Sequence, residues 1–367
     1  MRQLDNEFKK NDANYSPLNP VVFLKKAAHT FPKKKSIIYQ SRYYLWEETY
    51  TRCKKFASSL YNYGCKKGET IGFLAMNTPE LYEAHYSVPM AGMVLNAMNY
   101  RLDYKTLAYI IDHSEIKLLF TDLEFLEVAE NAIKSCKEKP EILIIQDCEE
   151  GLYNSSKYID YESFLFEGDE NFEEVKIADE WDTIAINYTS GTTGNPKGVL
   201  THHRGAYLNA LGNIIEWNME MHPIYLWTLP MFHCNGWCFP WTIAAKAGTN
   251  VCLRKVNSDA IYSAISKNSV NYLCGAPIVL GMLIDGSENE KFKIKNNCKV
   301  MTAAAPPPAA VLQSMQEIGF EVTHVYGLTE VYGPCVVCAW DPEWNKISVE
   351  KQADIKSRQG VPYIVQE

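Results

Sequence analysis

Residues 188–199, which read YTSGTTGNPKGV, combine the residue types that bind phosphate groups. The segment contains four serine or threonine side chains, three glycines and one lysine. Glycine lets backbone N–H groups turn towards an anion, hydroxyl groups donate hydrogen bonds, and the lysine supplies a positive charge. We therefore predict that this segment binds phosphate oxygens, with a polar surface loop as the alternative interpretation.

The P-loop of kinases and NTPases is one way to build such a site. Counted from Gly191, that motif requires glycine at position 196 and serine or threonine at position 198. The chain has Pro196 and Gly198 at these positions. The sequence therefore disfavours a P-loop enzyme.

The same segment resembles the signature of the adenylate-forming superfamily of AMP-binding enzymes, which includes the acyl-CoA synthetases. Four further segments resemble motifs of this superfamily in the same order: LPMFHCNG at 229–236, GAP at 275–277, AAAPPP at 303–308 and YGLTE at 326–330. The resemblance implies an α/β fold, that of the large N-terminal domain of these enzymes, with stacked mixed sheets and helices between them. The small C-terminal domain of these enzymes is expected to be absent, so that the chain resembles a fragment, or a naturally shortened product, of a longer synthetase.

The resemblance implies ATP, Mg²⁺ and CoA as ligands and assigns residues to them. Glu330 would hold the magnesium ion, and Thr329 would contact the α-phosphate. Superfamily members commonly carry glycine where this chain has Ala303 and Ala304, so we expect the added methyl groups to crowd the adenine side. The residues implied to bind nucleotide are Thr189, Ser190, Gly191, Thr192, Thr193, Gly194, Lys197, Ala304, Ala305, Pro306, Tyr326, Gly327 and Thr329.

A second group of residues is implied to form the pocket for the carboxylic acid. Residues 226–246 contain no acidic side chain that could hold a substrate ammonium group, which disfavours amino-acid activation. We therefore expect a small to medium, largely apolar acid. Packing of His233 and Trp237 as ordinary core aromatic residues is the alternative. The implied acid-binding residues are His233, Trp237, Gly275, Ala276 and Pro277.

The reaction implied is formation of an acyl-adenylate with release of pyrophosphate, followed by transfer of the acyl group to CoA. The catalytic residues would be Lys197, His233, Thr329 and Glu330. A carboxylate is already ionised near neutral pH, so the first step needs no general base. The alternative function is a non-catalytic module that binds a nucleotide or a protein partner.

Alternating helix and strand patterns predict the elements that position these motifs. Trp46 begins a helical pattern, residues 70–76 read as a buried strand, and Pro79 opens a helix after a capping residue. The segment 183–188 reads as a strand, and Thr201 is expected to cap the helix that follows the loop. Weak periodicity at 148–181 places a boundary between a first α/β subdomain, 1–180, and a second, 181–367, which carries the motifs and is incomplete at its C-terminal end.

Composition excludes several other functions. The formal net charge of −8 is unsuited to nucleic-acid binding, and no segment approaches an apolar membrane span. A small carboxylic acid, ATP and CoA are therefore the expected partners, and a homo-oligomer is compatible with this sequence. The N-terminus has no secretory signal, so we expect a cytoplasmic protein with free thiols. Cys335 and Cys338 form a C-x-x-C pattern that we interpret as packed thiols rather than a redox or zinc site.

Overall fold

The structure is a computed structural model that describes residues 9–146, 157–189, 194–287, 298–305 and 307–366. Its strands form one nine-stranded and one six-stranded sheet. The strands are β1 Lys35–Tyr39, β2 Arg42–Leu45, β3 Thr70–Leu74, β4 Val94–Ala97, β5 Ile116–Asp122, β6 Glu141–Ile145, β7 Thr183–Thr189, β8 Lys197–His202, β9 Ile224–Trp227, β10 Thr249–Cys252, β11 Tyr272–Cys274, β12 Cys298–Thr302, β13 Phe320–Leu328, β14 Gly333–Val337 and β15 Val361–Pro362.

Helices connect most of the parallel strands, as the alternating sequence patterns predict. The helices are α1 Val21–Thr30, α2 Trp46–Asn62, α3 Pro79–Met90, α4 Tyr104–His113, α5 Leu126–Ser135, α6 Tyr161–Phe166, α7 His203–Glu216, α8 Phe239–Ala245, α9 Ser258–Asn268, α10 Pro277–Ser287, α11 Ala309–Glu317 and α12 Val349–Lys356. None of the helices within these described ranges is long and apolar enough to cross a membrane.

Both sheets are mixed, as expected. The larger sheet has the order β15-β14-β13-β12-β11-β9-β10-β1-β2 and is parallel from β13 to β1. The smaller sheet has the order β6-β5-β3-β4-β7-β8 and is parallel except for the hairpin of β7 and β8. Strands β1 and β2 join the larger sheet, and β7 and β8 join the smaller one. The predicted boundary at residue 180 therefore does not coincide with the division between the sheets.

Apolar side chains pack in three layers around these sheets. The largest cluster combines residues of both sheets, such as Phe73 of β3 and Tyr225 of β9, with residues of the helices between them. A second cluster packs α9, α10 and α11 against the larger sheet, and a third packs α4 and α5 against the smaller one. The stacking leaves the carboxyl ends of strands from both sheets next to each other.

The cysteines are free, as predicted for the ten that the structure describes, and nine of these are buried. Cys338 Sγ donates to the Ile355 carbonyl at 3.2 Å, whereas Cys335 Sγ donates to the Tyr326 carbonyl at 3.6 Å. The described part of the chain contains no cluster of three or more His, Cys, Asp or Glu side chains that could hold a metal ion. The two thiols of the C-x-x-C pattern therefore have different hydrogen-bond partners, and only Cys338 is buried.

Candidate active site

A cleft of about 480 Å³ lies at the carboxyl ends of β7, β12 and β13, which belong to different sheets. Ligands of open α/β sheets bind in crevices at such strand ends. The cleft therefore has the position expected of a ligand site. The described residues that line it are Thr189, Gly194, Asn195, Lys197, His233, Cys234, Trp237, Ala303, Ala304, Gly327, Leu328, Thr329, Glu330, Gly333 and Pro334.

The cleft brings together nine of the residues that the sequence assigned to ligands: Thr189, Gly194, Lys197, His233, Trp237, Ala304, Gly327, Thr329 and Glu330. Five predicted residues do not line it, namely Gly275, Ala276, Pro277, Ala305 and Tyr326. Five others lie outside the described residues, namely Ser190, Gly191, Thr192, Thr193 and Pro306. The role of each residue in binding nucleotide, magnesium or acid stays a prediction. The nine residues that share the cleft are close enough to contact one ligand complex.

Two of the five predicted residues outside the cleft lining, Gly275 and Tyr326, have identifiable surroundings. Gly275 follows β11 and donates its N–H to the Met301 carbonyl at 3.0 Å, so its backbone belongs to the edge of the larger sheet. Tyr326 lies on β13 immediately before Gly327 of the cleft wall, and 39% of its surface is exposed. An exposed aromatic ring beside the cleft is free to contact a ligand that extends out of it.

Lys197 is held by the hairpin that carries the predicted phosphate loop. β7 and β8 are antiparallel, and Thr189 pairs with Lys197 at the end where the hairpin loop begins and ends. The prediction that this loop leads straight into a helix was wrong, because β8 intervenes. His202, not Thr201, caps α7 by accepting from the Gly205 N–H at 2.9 Å, and the Thr201 hydroxyl donates to the Ala185 carbonyl. Two paired strands therefore fix the position of Lys197.

Thr329 and Glu330 lie on a single 3₁₀ turn, Thr329–Val331, directly after β13. Glu330 is the one acidic side chain among the described residues of the cleft. Magnesium is commonly held by one or two carboxylates together with phosphate oxygens, so a lone glutamate fits an ion that arrives with a nucleotide. Neither Glu330 nor Lys197 has an ion-pair partner in the part of the chain that the structure describes. Both charges are available to a ligand.

His233 is followed by a left-handed turn. Residues 234–238 all have positive φ, with values of 43°, 40°, 56°, 55° and 65°, and only Gly236 among them is a glycine. Left-handed backbone costs roughly 1–2 kcal/mol for each non-glycine residue. Such strain persists only where surrounding contacts hold it, and it is typical of functional sites. The turn directs both Cys234 and Trp237 to the cleft.

Burial determines the ionisation of this segment. His233 is exposed to the cleft, yet partial desolvation by the surrounding protein, assisted by the positive charge of Arg101, lowers its pKa below the ordinary value, so its imidazole is neutral at neutral pH. Burial also raises the pKa of Cys234 to about 11, and its thiol forms a hydrogen bond with the Thr329 hydroxyl at 3.4 Å. The His233 side of the cleft is therefore uncharged, which suits the apolar part of an acid.

Two glycines allow the backbone segments of the site to approach closely. A Cβ atom on Gly327 would lie 1.8 Å from the Gly333 carbonyl oxygen, and one on Gly333 would lie 3.0 Å from the Cα atom of Trp237. Gly333 also has a φ of 123°, which side chains rarely tolerate. The left-handed turn, β13 and β14 can therefore touch only where these positions lack side chains.

Ala304 is strained, and this gives a first prediction. Its φ is 86°, a backbone conformation that glycine adopts at little cost. We expect Ala304→Gly to raise the free energy of unfolding by about 1 kcal/mol, because relief of the strain exceeds the added chain entropy of glycine. Urea denaturation measures the change.

Ala303 provides the matched control for this substitution. It is buried, and its φ is not positive. Ala303→Gly should lower the free energy of unfolding, since it gains backbone entropy in the unfolded chain without relieving strain. Equal effects of the two substitutions would show that strain at Ala304 is not the cause.

A second cavity of about 280 Å³ lies on the other side of the His233 segment. It shares Thr189, His233, Cys234 and Thr329 with the cleft, and Asn96, Met98 and Asn187 lie on its far wall. The two spaces therefore lie next to each other and share four lining residues.

Several lining residues were not predicted from the sequence: Asn195, Cys234, Ala303, Leu328, Gly333 and Pro334. Most of them lie beside a predicted residue or inside a motif, so proximity to the motifs was the available signal. For Gly333 and Pro334 the pairing of β14 with β13 brings them back to Gly327 and Leu328. That pairing is a tertiary feature with no local signature.

Comparison with known proteins agrees with this arrangement. The profile of the AMP-binding enzyme family matches residues 24–365. The chain is 45% identical to a protein of Arabidopsis thaliana named peroxisomal acetate/butyrate–CoA ligase, over 99% of this chain and 66% of the relative. It is 42% identical to a peroxisomal trans-cinnamate:CoA ligase of Petunia hybrida, over 98% of this chain and 66% of the relative. The chain thus spans slightly less than two thirds of the length of these relatives.

A solved structure has the same fold. The N-terminal domain of FACL13 from Mycobacterium tuberculosis superposes with a TM-score of 0.80 at 20% identity, covering 94% of this chain and 83% of that one. This likeness confirms the α/β architecture inferred from the motifs. Because the family profile matches nearly all of the chain, the protein belongs to the AMP-binding enzyme family.

Proposed function

We propose that this chain contains the nucleotide-binding and acid-binding site of an ATP-dependent carboxylic acid–CoA ligase. One observation carries the proposal: Lys197 of β8, in the smaller sheet, and Glu330, on the turn after β13 of the larger sheet, line the same cleft as the uncharged His233 and Trp237. One part of the cleft thus offers charges to a triphosphate with its magnesium ion, and another offers neutral side chains to an acid. The charged nucleotide and the apolar acid would therefore each lie beside side chains of suitable polarity.

The first reaction is displacement at phosphorus. An oxygen of the carboxylate attacks the α-phosphorus of ATP, the bond to the β-phosphate oxygen breaks, and pyrophosphate leaves with the electron pair. Lys197 and the Thr329 hydroxyl would interact with phosphate oxygens, and Glu330 would hold magnesium. When bound, the ion neutralises charge that develops on the phosphates. As in phosphoryl transfer generally, positioning and charge stabilisation supply the catalysis.

In the second reaction the sulfur of CoA attacks the acyl carbon, and AMP leaves. The cavity beside His233 supports this step, since it shares a wall with the cleft and could bring a thiol to the acyl carbon. Both relatives described above are named as CoA ligases, which supports CoA as the acceptor. Cytoplasmic localisation stays a prediction, because both relatives are named as peroxisomal.

The substrate class follows from the lining of the cleft. No described lining residue on the His233 side is acidic, so a substrate ammonium group would be left unpaired. Trp237 is buried and fills space between the left-handed turn and Gly333. The relatives act, by name, on acetate, butyrate and cinnamate, which supports a small to medium, largely apolar acid.

The direct test is acid-dependent exchange of radiolabelled pyrophosphate into ATP by the purified protein. We expect exchange with short aliphatic or aryl acids, and AMP rather than ADP as the nucleotide product. Lack of exchange with every acid of such a panel, together with binding of MgATP in calorimetry, would instead favour the non-catalytic module.

Trp237 gives a prediction about acid selectivity. Removing its ring should enlarge the acid pocket, so Trp237→Ala should favour octanoate over acetate relative to the unchanged protein. We expect the ratio of the two kcat/KM values to shift by about 10- to 200-fold, the range that pocket-size differences produce. Trp344→Ala, in the turn Pro342–Lys346 away from the cleft, is the control. An unchanged ratio in Trp237→Ala would remove Trp237 from the acid pocket.

A further inference from the structure

The backbone from Trp227, the last residue of β9, to Cys238, which we call the His233 loop, is mostly buried, and beyond β9 its one helical turn, Cys234–Trp237, is left-handed. Buried carbonyl and N–H groups need hydrogen-bond partners, and a segment without a strand or helix ladder must find them elsewhere. The internal bonds include those from the His233 N–H to the Pro230 carbonyl at 3.1 Å and from the Cys238 N–H to the Asn235 carbonyl at 3.2 Å. Several of the other backbone carbonyl and N–H groups of the loop bond to asparagine side chains.

Asn77 supplies three of these bonds from the segment that joins β3 to α3. Its amide Nδ2 donates to the Trp227 carbonyl at 2.9 Å and to the Leu229 carbonyl at 3.0 Å. Its Oδ1 accepts from the Met231 N–H at 2.8 Å. One buried side chain therefore fixes both ends of a five-residue stretch, in the manner of a neighbouring strand.

Two more asparagines continue the pattern from other elements. Asn187 of β7 donates Nδ2 to the Phe232 carbonyl at 3.1 Å. Asn213 of α7 donates Nδ2 to the Trp237 carbonyl at 2.9 Å, inside the left-handed turn. Both side chains are buried. The three asparagines come from different elements, and Asn77 and Asn187 contact the loop before His233 whereas Asn213 contacts it after His233.

We propose that Asn77, Asn187 and Asn213 are positioning residues that hold His233 and Trp237 in place by satisfying the backbone of the His233 loop. The three side chains act on the reaction through the loop. This inference rests on the proposed function only in naming His233 and Trp237 as the acid-facing residues. The strain of residues 234–238 explains why the loop needs such support: a left-handed turn without external partners would relax.

The substitutions Asn77→Asp, Asn187→Asp and Asn213→Asp test the proposal, because each replaces the N–H donors by oxygen at nearly constant volume. Asn250→Asp is the matched control. Asn250 is equally buried, and its Nδ2 donates to the Ser36 carbonyl at 3.0 Å, away from the backbone of the loop. Its Oδ1 accepts from the Trp227 Nε1–H at 3.0 Å, and an aspartate keeps this acceptor. A general loss of core packing would affect all four variants alike.

Hydrogen–deuterium exchange of the purified protein provides the readout. We expect amides of residues 228–238 to exchange about 10- to 100-fold faster in the three variants, since each leaves buried carbonyls without donors. Amides of β12 should be unchanged in these variants, and residues 228–238 should be unchanged in Asn250→Asp. NMR titration should also show the pKa of His233 moving up towards its ordinary value, because a loosened loop moves the imidazole away from the protein atoms and the Arg101 charge that lower it.

Two outcomes would overturn the proposal. One is unchanged exchange of residues 228–238 in all three variants, and the other is an equal increase in Asn250→Asp. If the variants fail to fold, hydrogen–deuterium exchange of the unsubstituted protein provides the test. Its amides of residues 228–238 should exchange as slowly as those of β12, and rapid exchange there would contradict the proposal. Neither measurement requires catalysis, so a protein that fails the pyrophosphate-exchange test can still confirm or refute the role of the asparagines.

Discussion

Lys197→Ala is expected to slow acid-dependent pyrophosphate exchange by about 10²–10³-fold, the usual effect of removing one preorganised charge-stabilising group. The ammonium group sits at the end of a paired hairpin, in the cleft and without an ion-pair partner among the described residues. It therefore needs little reorganisation to stabilise negative charge that builds up on the phosphates. Saturation curves for ATP and for the acid, measured by exchange, separate the effect on rate from the effect on binding.

The control for this substitution is Lys267→Ala, at an exposed position in the last turn of α9. It removes the same charge from the protein and should leave the exchange rate unchanged. Lys197→Arg keeps the positive charge on a side chain of different shape, and its exchange rate should lie between those of Lys197→Ala and Lys267→Ala. If Lys197→Ala were as active as Lys267→Ala, Lys197 would have no part in stabilising the transition state.

Glu330→Gln is the second substitution for which we expect a large loss, again about 10²–10³-fold in the exchange rate. The amide keeps the size of the side chain but replaces a charged oxygen ligand by a neutral one, which Mg²⁺ binds more weakly. Because the defect lies in holding the ion, raising the magnesium concentration should restore part of the rate. Exchange rates measured across a magnesium titration show both effects.

Glu343→Gln is the corresponding control, since Glu343 is exposed and paired with Lys346 at 2.7 Å. It should not change the magnesium dependence. A Glu330→Gln variant with an unaltered magnesium curve would mean that another group holds the ion. The magnesium dependence thus distinguishes a metal ligand from a residue that only shapes the turn.

The sequence predicted well those features that depend on local pattern. Helix α2 begins at Trp46, as its periodicity indicated, and α3 begins at Pro79 after the capping residue Thr78. Strand β3 falls within the predicted 70–76. Motif order predicted the family and most of the cleft, because motif residues lie at the ends of strands where the chain reverses.

Features that depend on distant pairing could not be read from the sequence. Strand β1 comes early in the chain but pairs with β10 in the larger sheet, and no local sequence pattern indicates this pairing. Strand β8 was missed because Lys197, Gly198 and Val199 had been assigned to the loop. The left-handed turn follows His233 in a sequence whose only local hint is Asn-Gly. Asparagines such as Asn77 look like ordinary turn or cap residues until their partners are known.

The central claim is that Lys197 and Glu330 act on one magnesium triphosphate, and a double-mutant cycle of MgATP affinity tests it most directly. Calorimetry would compare the unchanged protein, Lys197→Ala, Glu330→Gln and the combined variant. We predict that both single variants bind MgATP more weakly and that their effects are non-additive by at least about 0.5 kcal/mol, as for residues that share a partner. Binding by either single variant equal to that of the unchanged protein, or strictly additive losses, would contradict the claim.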